Sequence, residues 1–138
     1  MGEWLFGCDL CQEVCPWNRK SPRSDEVAFQ PQSDLNAIDA LALLRMTREQ
    51  FDARFALSPL ARPGFDGLRR NAAIVLGNRG DSAGIPCLIE SLSDASPLVR
   101  GAVVWALRKL GGDAAQSALS ERLRVETDAS VIVELTQP

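Results

Sequence analysis

The feature that most constrains this chain is a repeat. Shifting the sequence by 31 residues lays Leu68-Arg69-Arg70-Asn71-Ala72-Ala73-Ile74-Val75-Leu76 on Val99-Arg100-Gly101-Ala102-Val103-Val104-Trp105-Ala106-Leu107. The same shift brings Gly80 onto Gly111, Leu88 onto Leu119 and Leu92 onto Leu123. Leu68, Ala72, Val75 and Leu76 recur at the spacing of one helix face, and Val99, Val103, Ala106, Leu107 and Leu110 repeat the pattern. Ser96-Pro97 places a capping residue before a proline suited to the first helical position, and Gly80 and Gly111-Gly112 supply left-handed stops. Asp128-Ala129-Ser130 opens a partial third copy that has room for one helix. A helix pair of this length cannot bury its apolar face alone, so successive pairs must stack into an α-solenoid.

The fold class expected is therefore all-α, a HEAT-like solenoid over residues 33–138 preceded by a ferredoxin-type cysteine loop over residues 1–32. Within the helical part, Leu35, Ile38, Leu41 and Ala42 are spaced for an amphipathic helix. Thr47 and Gln50 form a capping-box pair at the start of another helix carrying Phe51 and Phe55. That helix should stop near Ser58-Pro59 or at Arg62-Pro63-Gly64.

The first region carries the chemistry. Cys8, Cys11 and Cys15, followed by Pro16, spell CxxCxxxCP, the last part of the bacterial ferredoxin run. Leu5 stands where the full run has its first cysteine, so three thiolates are supplied locally. In two-cluster proteins the cysteine before the proline serves the other cluster, which would give Cys8 and Cys11 to one centre and Cys15 to the second. Zinc is the competing metal, but the 138 residues contain no histidine and one further cysteine, the distant Cys87. A disulfide would leave an odd thiol. Cys87, in Ile85-Pro86-Cys87-Leu88-Ile89, reads as a small buried side chain. Trp4, Phe6 and Trp17 flank the motif, either as local packing or as a shield that keeps water from a cluster. The absence of histidine and tyrosine excludes Ser-His-Asp and Cys-His catalysis.

Net charge is −3, against a generally basic nucleic-acid binder, yet the charges are segregated. Residues 60–80 and 97–112 are net basic, and 81–96 and 113–138 net acidic. If alternate helices line opposite faces, one face is basic and suited to phosphate, with Arg69, Arg70 and Arg100 on the repeats and Arg19 and Lys20 beside the cysteines as candidate contacts. No apolar run approaches a membrane span and nothing reads as a secretory signal, so the cytoplasm is the expected compartment, with no membrane or DNA role.

The string from Gly2 to Lys20, with Cys15-Pro16-Trp17-Asn18 at its heart, resembles the second cluster motif of the epoxyqueuosine reductase family. Ser58-Pro59-Leu60, Leu68-Arg69-Arg70-Asn71-Ala72-Ala73, Leu76-Gly77-Asn78 and Pro97-Leu98-Val99-Arg100-Gly101 with Trp105-Ala106-Leu107 resemble that family's HEAT-like C-terminal portion in order and spacing. The resemblance implies part of an oxidoreductase of queuosine biosynthesis that reduces epoxyqueuosine in the anticodon region of tRNA, using cobalamin and two 4Fe-4S clusters. It implies Cys8 and Cys11 as ligands of the second cluster and Cys15 as a ligand of the first. The cobalamin domain and catalytic acid of the family lie upstream of the matching region, so the chain by itself is expected to be inactive and to need that domain as a partner. Ala102 stands where the family often has histidine. The other reading is a non-catalytic HEAT-like interaction module with a vestigial cysteine loop.

Overall fold

The computed structural model describes residues 2, 4–22, 24–27, 30 and 38–137, among which there are helices and turns and no strand. A four-residue helix, α1 (Leu10–Glu13), lies within the cysteine segment. Asp39 caps α2 (Ala40–Leu44), its carboxylate accepting from the amides of Leu41 and Ala42. Leu35 of the expected first helix lies outside the described residues. Thr47 opens α3 (Arg48–Phe55) with the expected capping box: its hydroxyl accepts from the Gln50 amide, and the Gln50 side chain accepts from the Thr47 amide. α3 buries Phe51 and Phe55, whose rings meet at 5.4 Å. It stops where Ser58 caps a short 3-10 turn over Pro59–Ala61, the first of the two expected stops.

The stacked part comprises α4 (Gly64–Arg79), α5 (Ile85–Ser91), α6 (Pro97–Leu110), α7 (Asp113–Val125) and α8 (Ala129–Thr136). α6 packs against both α4 and α8, and α2 extends this row on the far side of α4; α5 and α7 pack on α6 and on each other. The two sequence copies thus occupy neighbouring, equivalent places in one row. Leu68, Ala72, Val75 and Leu76 of α4, and Val99, Val103, Ala106 and Leu107 of α6, are all buried, as the spacing requires. Each such Leu or Val removed from water contributes about 1.5–3 kcal/mol. Gly77 lets the row close up, because a Cβ there would stand 2.9 Å from the Ala106 backbone.

The helix ends follow local chemistry. Gly80 terminates α4 at φ 69°, a conformation that costs glycine nothing. Asp128 caps the single helix of the third copy by accepting from the amides of Ser130 and Val131. Ser96 precedes Pro97 in extended backbone, but its hydroxyl does not cap α6; its amide instead donates to the Asp94 carboxylate at 2.9 Å.

Candidate metal and RNA site

The cysteine segment is folded by its own backbone. Asp9 accepts from the amides of Gln12 and Glu13, forming the single turn of α1, and the Cys15 amide bonds back to Gln12. Asn18 closes the loop by donating to the Gln12 carbonyl at 2.9 Å, while its amide bonds to the Cys15 carbonyl. Pro16 thereby turns the chain back, and Cys8, Cys11 and Cys15 are presented within one short loop. Cys8 and Cys11 are exposed, Cys15 is half-buried, and all are free thiols. Cys8 lines a cavity of about 330 Å³ with Gly2, Trp4, Gly7 and Leu10.

Among the described residues no three Cys, Asp or Glu side chains gather around one metal position. The donors are nonetheless of the right kind for a cluster: soft, accessible sulfurs at ferredoxin spacing. Trp17 is 87% exposed, and Trp4 and Phe6 are open to solvent on one side, so these aromatics do not build a local core. Cys87 of α5, by contrast, is 2% exposed, and burial pushes its thiol above the usual range. It is the inert packing residue expected.

The segment rests on α4. Asn71, 5% exposed, donates its side-chain amide to the Leu5 carbonyl at 2.8 Å, and Asn78, two turns further along the same face, donates to the Gly2 carbonyl at 2.6 Å. Each asparagine oxygen is held by a cation. Arg70 donates to the Asn71 oxygen through Nε and Nη2 at 3.1 and 2.7 Å, and Lys109 of α6 donates to the Asn78 oxygen at 2.5 Å. Leu5 itself packs against the edge of the core.

The basic candidates divide in two. Arg19 and Lys20 are exposed on the 3-10 turn Asn18–Lys20 that directly follows the cysteine loop. Arg70 is half-buried at the mouth of a groove of about 410 Å³ with Ile74, Trp105, Ser130 and Glu134. Arg69 and Arg100 do other work. Arg100 is buried, making two parallel bonds to Glu126 at 2.8 and 2.9 Å and donating to the carbonyls of Asp94 and Ala95. Arg69 pairs with Asp94, donates to the Leu44 carbonyl at 3.2 Å and lies over the Phe65 ring. The expectation that these two arginines face phosphate is corrected accordingly: each clamps the loop that leads into the next helix. Arg108 pairs similarly with Glu134 at 3.8 Å. Arg69, Arg100 and Arg108 thus pair with acids of the neighbouring acidic segments instead of standing on one basic face.

Sequence reasoning did not single out Asp94 and Glu126 as pairing partners, or Asn71 and Asn78 as tethers. A signal for the first existed, since the shift that maps Arg69 onto Arg100 also carries Asp94 to within one residue of Glu126.

Comparison with known proteins agrees with this architecture. The profile of the HEAT repeats matches residues 53–136. Epoxyqueuosine reductase of Listeria monocytogenes is 36% identical over 133 residues, covering 96% of this chain and 35% of the relative. That of Bacillus anthracis is 30% identical over 138 residues, covering 99% of this chain and 36% of the relative. A crystal structure of epoxyqueuosine reductase with an epoxyqueuosine-modified tRNA-Tyr stem loop superposes with a TM-score of 0.89 at 29% identity, covering 97% of this chain and 36% of that one. The chain thus spans about a third of the length of these relatives. By its repeats it belongs to the HEAT-repeat family, and over nearly its whole length it is similar to one portion of epoxyqueuosine reductase.

Proposed function

We propose that this chain is the portion of an epoxyqueuosine reductase that contributes cluster ligands and a tRNA-docking surface, and so serves the reduction of epoxyqueuosine to queuosine in tRNA. The observation that carries the reading is the extent of the likeness, which takes in the cysteine segment as well as the repeats: 97% of the chain at a TM-score of 0.89. Cys8 and Cys11 are the ligands this chain offers to one 4Fe-4S centre and Cys15 the ligand it offers to the other, with the remaining ligands and the cobalamin site on other parts of the enzyme. When bound, such clusters supply one-electron transfer to the cobalt of the cobalamin. The chain's own part is to present the thiols at the surface, where other ligands can reach them, and to set them beside a basic edge formed by Arg19 and Lys20, with Arg70 in the adjacent groove. Guanidinium and ammonium groups in those places suit phosphate oxygens of an RNA backbone.

The test is a replacement. These 138 residues are put in place of the matching portion of the Listeria monocytogenes enzyme, and the chimera is expressed in a bacterium deleted for its own reductase. Nucleosides from its tRNA should contain queuosine, and the chimera carrying Cys8→Ser and Cys11→Ser should accumulate epoxyqueuosine. Equal queuosine from both proteins would overturn the proposal.

A further inference from the structure

The contacts between the cysteine segment and α4 are few and specific, and they have a common design. Two asparagines seven residues apart lie on one face of α4. Each sends its NH2 group to a backbone carbonyl of the segment, and each has its oxygen occupied by a cation. An amide has two ends that can exchange places by rotation about the last side-chain bond. A cation on the oxygen removes that ambiguity, because the flipped amide would set NH2 against a guanidinium or ammonium group. The same cation draws electron density from the amide and strengthens the bond that its N–H donates. Asn71 is almost wholly buried, so its bond to Leu5 is formed away from water, where the loss of the partner is most costly.

The two copies of the repeat differ at these places. The 31-residue shift puts Ala102 opposite Asn71 and Lys109 opposite Asn78. The copy that carries no cysteine segment lacks both asparagines, although the packing positions around them are kept. Helix packing therefore does not demand an asparagine at either place. The segment does.

We infer that Asn71 and Asn78, turned by Arg70 and Lys109, are positioning residues that fix the cysteine segment on the repeat domain and so set where Cys8, three residues beyond Leu5, is presented. The functional significance of that position rests on the proposal that the cysteines are cluster ligands; the docking itself does not. The variants that isolate the effect are Asn71→Asp and Asn78→Asp. Each keeps the size of the side chain and improves the contact to the cation, but replaces the donor facing the carbonyl with an acceptor. Asn78→Ala, at a half-buried place, is the second variant should a buried carboxylate at position 71 prevent folding.

The measurement is backbone 15N relaxation on the 138-residue chain, free of iron, with thermal unfolding as the control for the helices. In the parent protein the amides of residues 4–8 should have order parameters close to the ~0.85 of rigid backbone. In the Asn71→Asp, Asn78→Asp double variant they should fall below about 0.6 while those of α4 to α8 and the melting temperature stay in place. Asn78→Ala alone should loosen Trp4 and Leu5 more than Cys8. Order in the double variant equal to that of the parent would overturn the inference, as would a parent segment that is already mobile. Since no cluster enters the measurement, a failure of the iron-sulfur reading and a failure of this one are told apart.

Discussion

Arg100 and Glu126 meet side by side in the interior, with Nη2 to Oε1 at 2.8 Å and Nε to Oε2 at 2.9 Å, and the Glu126 side chain has no exposed surface. The remaining capacity of the carboxylate is taken by the amides of Thr127 and Asp128 and by Arg122. Every acceptor site has a donor, as a buried charge requires. The pair joins the start of α6 to the turn between α7 and α8 and so fixes the register of the last helix.

Removing one partner from such a pair leaves a buried charge alone and costs about 3–5 kcal/mol. Arg100→Ala should therefore lower stability by that amount, read from the midpoint of urea unfolding. Arg19→Ala, on the exposed turn, should change it by less than about 0.5 kcal/mol. An Arg100→Ala protein as stable as the parent would show that the pair contributes little.

The same pair sets a pH dependence. Hydrogen bonds from Arg100, helped by the neighbouring amides and Arg122 and opposed by burial, hold the Glu126 carboxyl well below the usual carboxylate range. The folded state then stays ionised at pH values where the unfolded chain takes up a proton. The stabilisation is complete above the unfolded value of about 4.3 and drains away as pH falls below it. Glu126→Gln lacks that dependence. Its stability should lie about 3 kcal/mol below the parent at pH 7, and the gap should narrow by about 1.4 kcal/mol for each pH unit between about 4 and 2. Parallel curves over that interval would assign the acid sensitivity elsewhere.

Gly77 predicts a packing effect. A methyl group at this place would press on the Ala106 backbone and the Trp105 ring, each at 2.9 Å. Neither can retreat cheaply where α4 meets α6. Gly77→Ala should cost about 1–3 kcal/mol despite the better helix propensity of alanine, whereas Gly101→Ala, with open space around the new methyl, should be neutral or stabilising. Calorimetric melting of both variants decides between packing and propensity.

For RNA, the geometry separates surface cations from structural ones. Arg19→Glu with Lys20→Glu, in the same Listeria chimera, should weaken binding of a tRNA anticodon stem loop and reduce the salt slope of log K by about one for each phosphate no longer neutralised. The melting temperature should not move. An unchanged slope removes this turn from the docking surface.

How much of this was legible in the sequence depends on the range of the interaction. The capping box at Thr47, the stop at Gly80 and the cap at Asp128 act within one helical turn, and periodicity alone placed the buried stripes of α4 and α6. Arg69 and Arg100 were misread because a count by segment gives the sign of a charge and not its direction. Their partners stand 25 and 26 residues away, across a helix. Asn71 and Asn78 leave almost no trace, since they bond to backbone carbonyls, which every residue possesses. The cysteine spacing was plain, but three thiols in one short segment are fewer than the four ligands of a cluster, and spacing does not tell what would complete the set.

Cluster ligation by the thiols near the amino end is read by counting iron and acid-labile sulfide in the purified, anaerobically reconstituted chimera. Two 4Fe-4S centres give about eight iron atoms per chain; Cys8→Ser with Cys11→Ser should reduce this to about four, and adding Cys15→Ser should reduce it further. An iron content that is the same with and without the three cysteines would contradict the account.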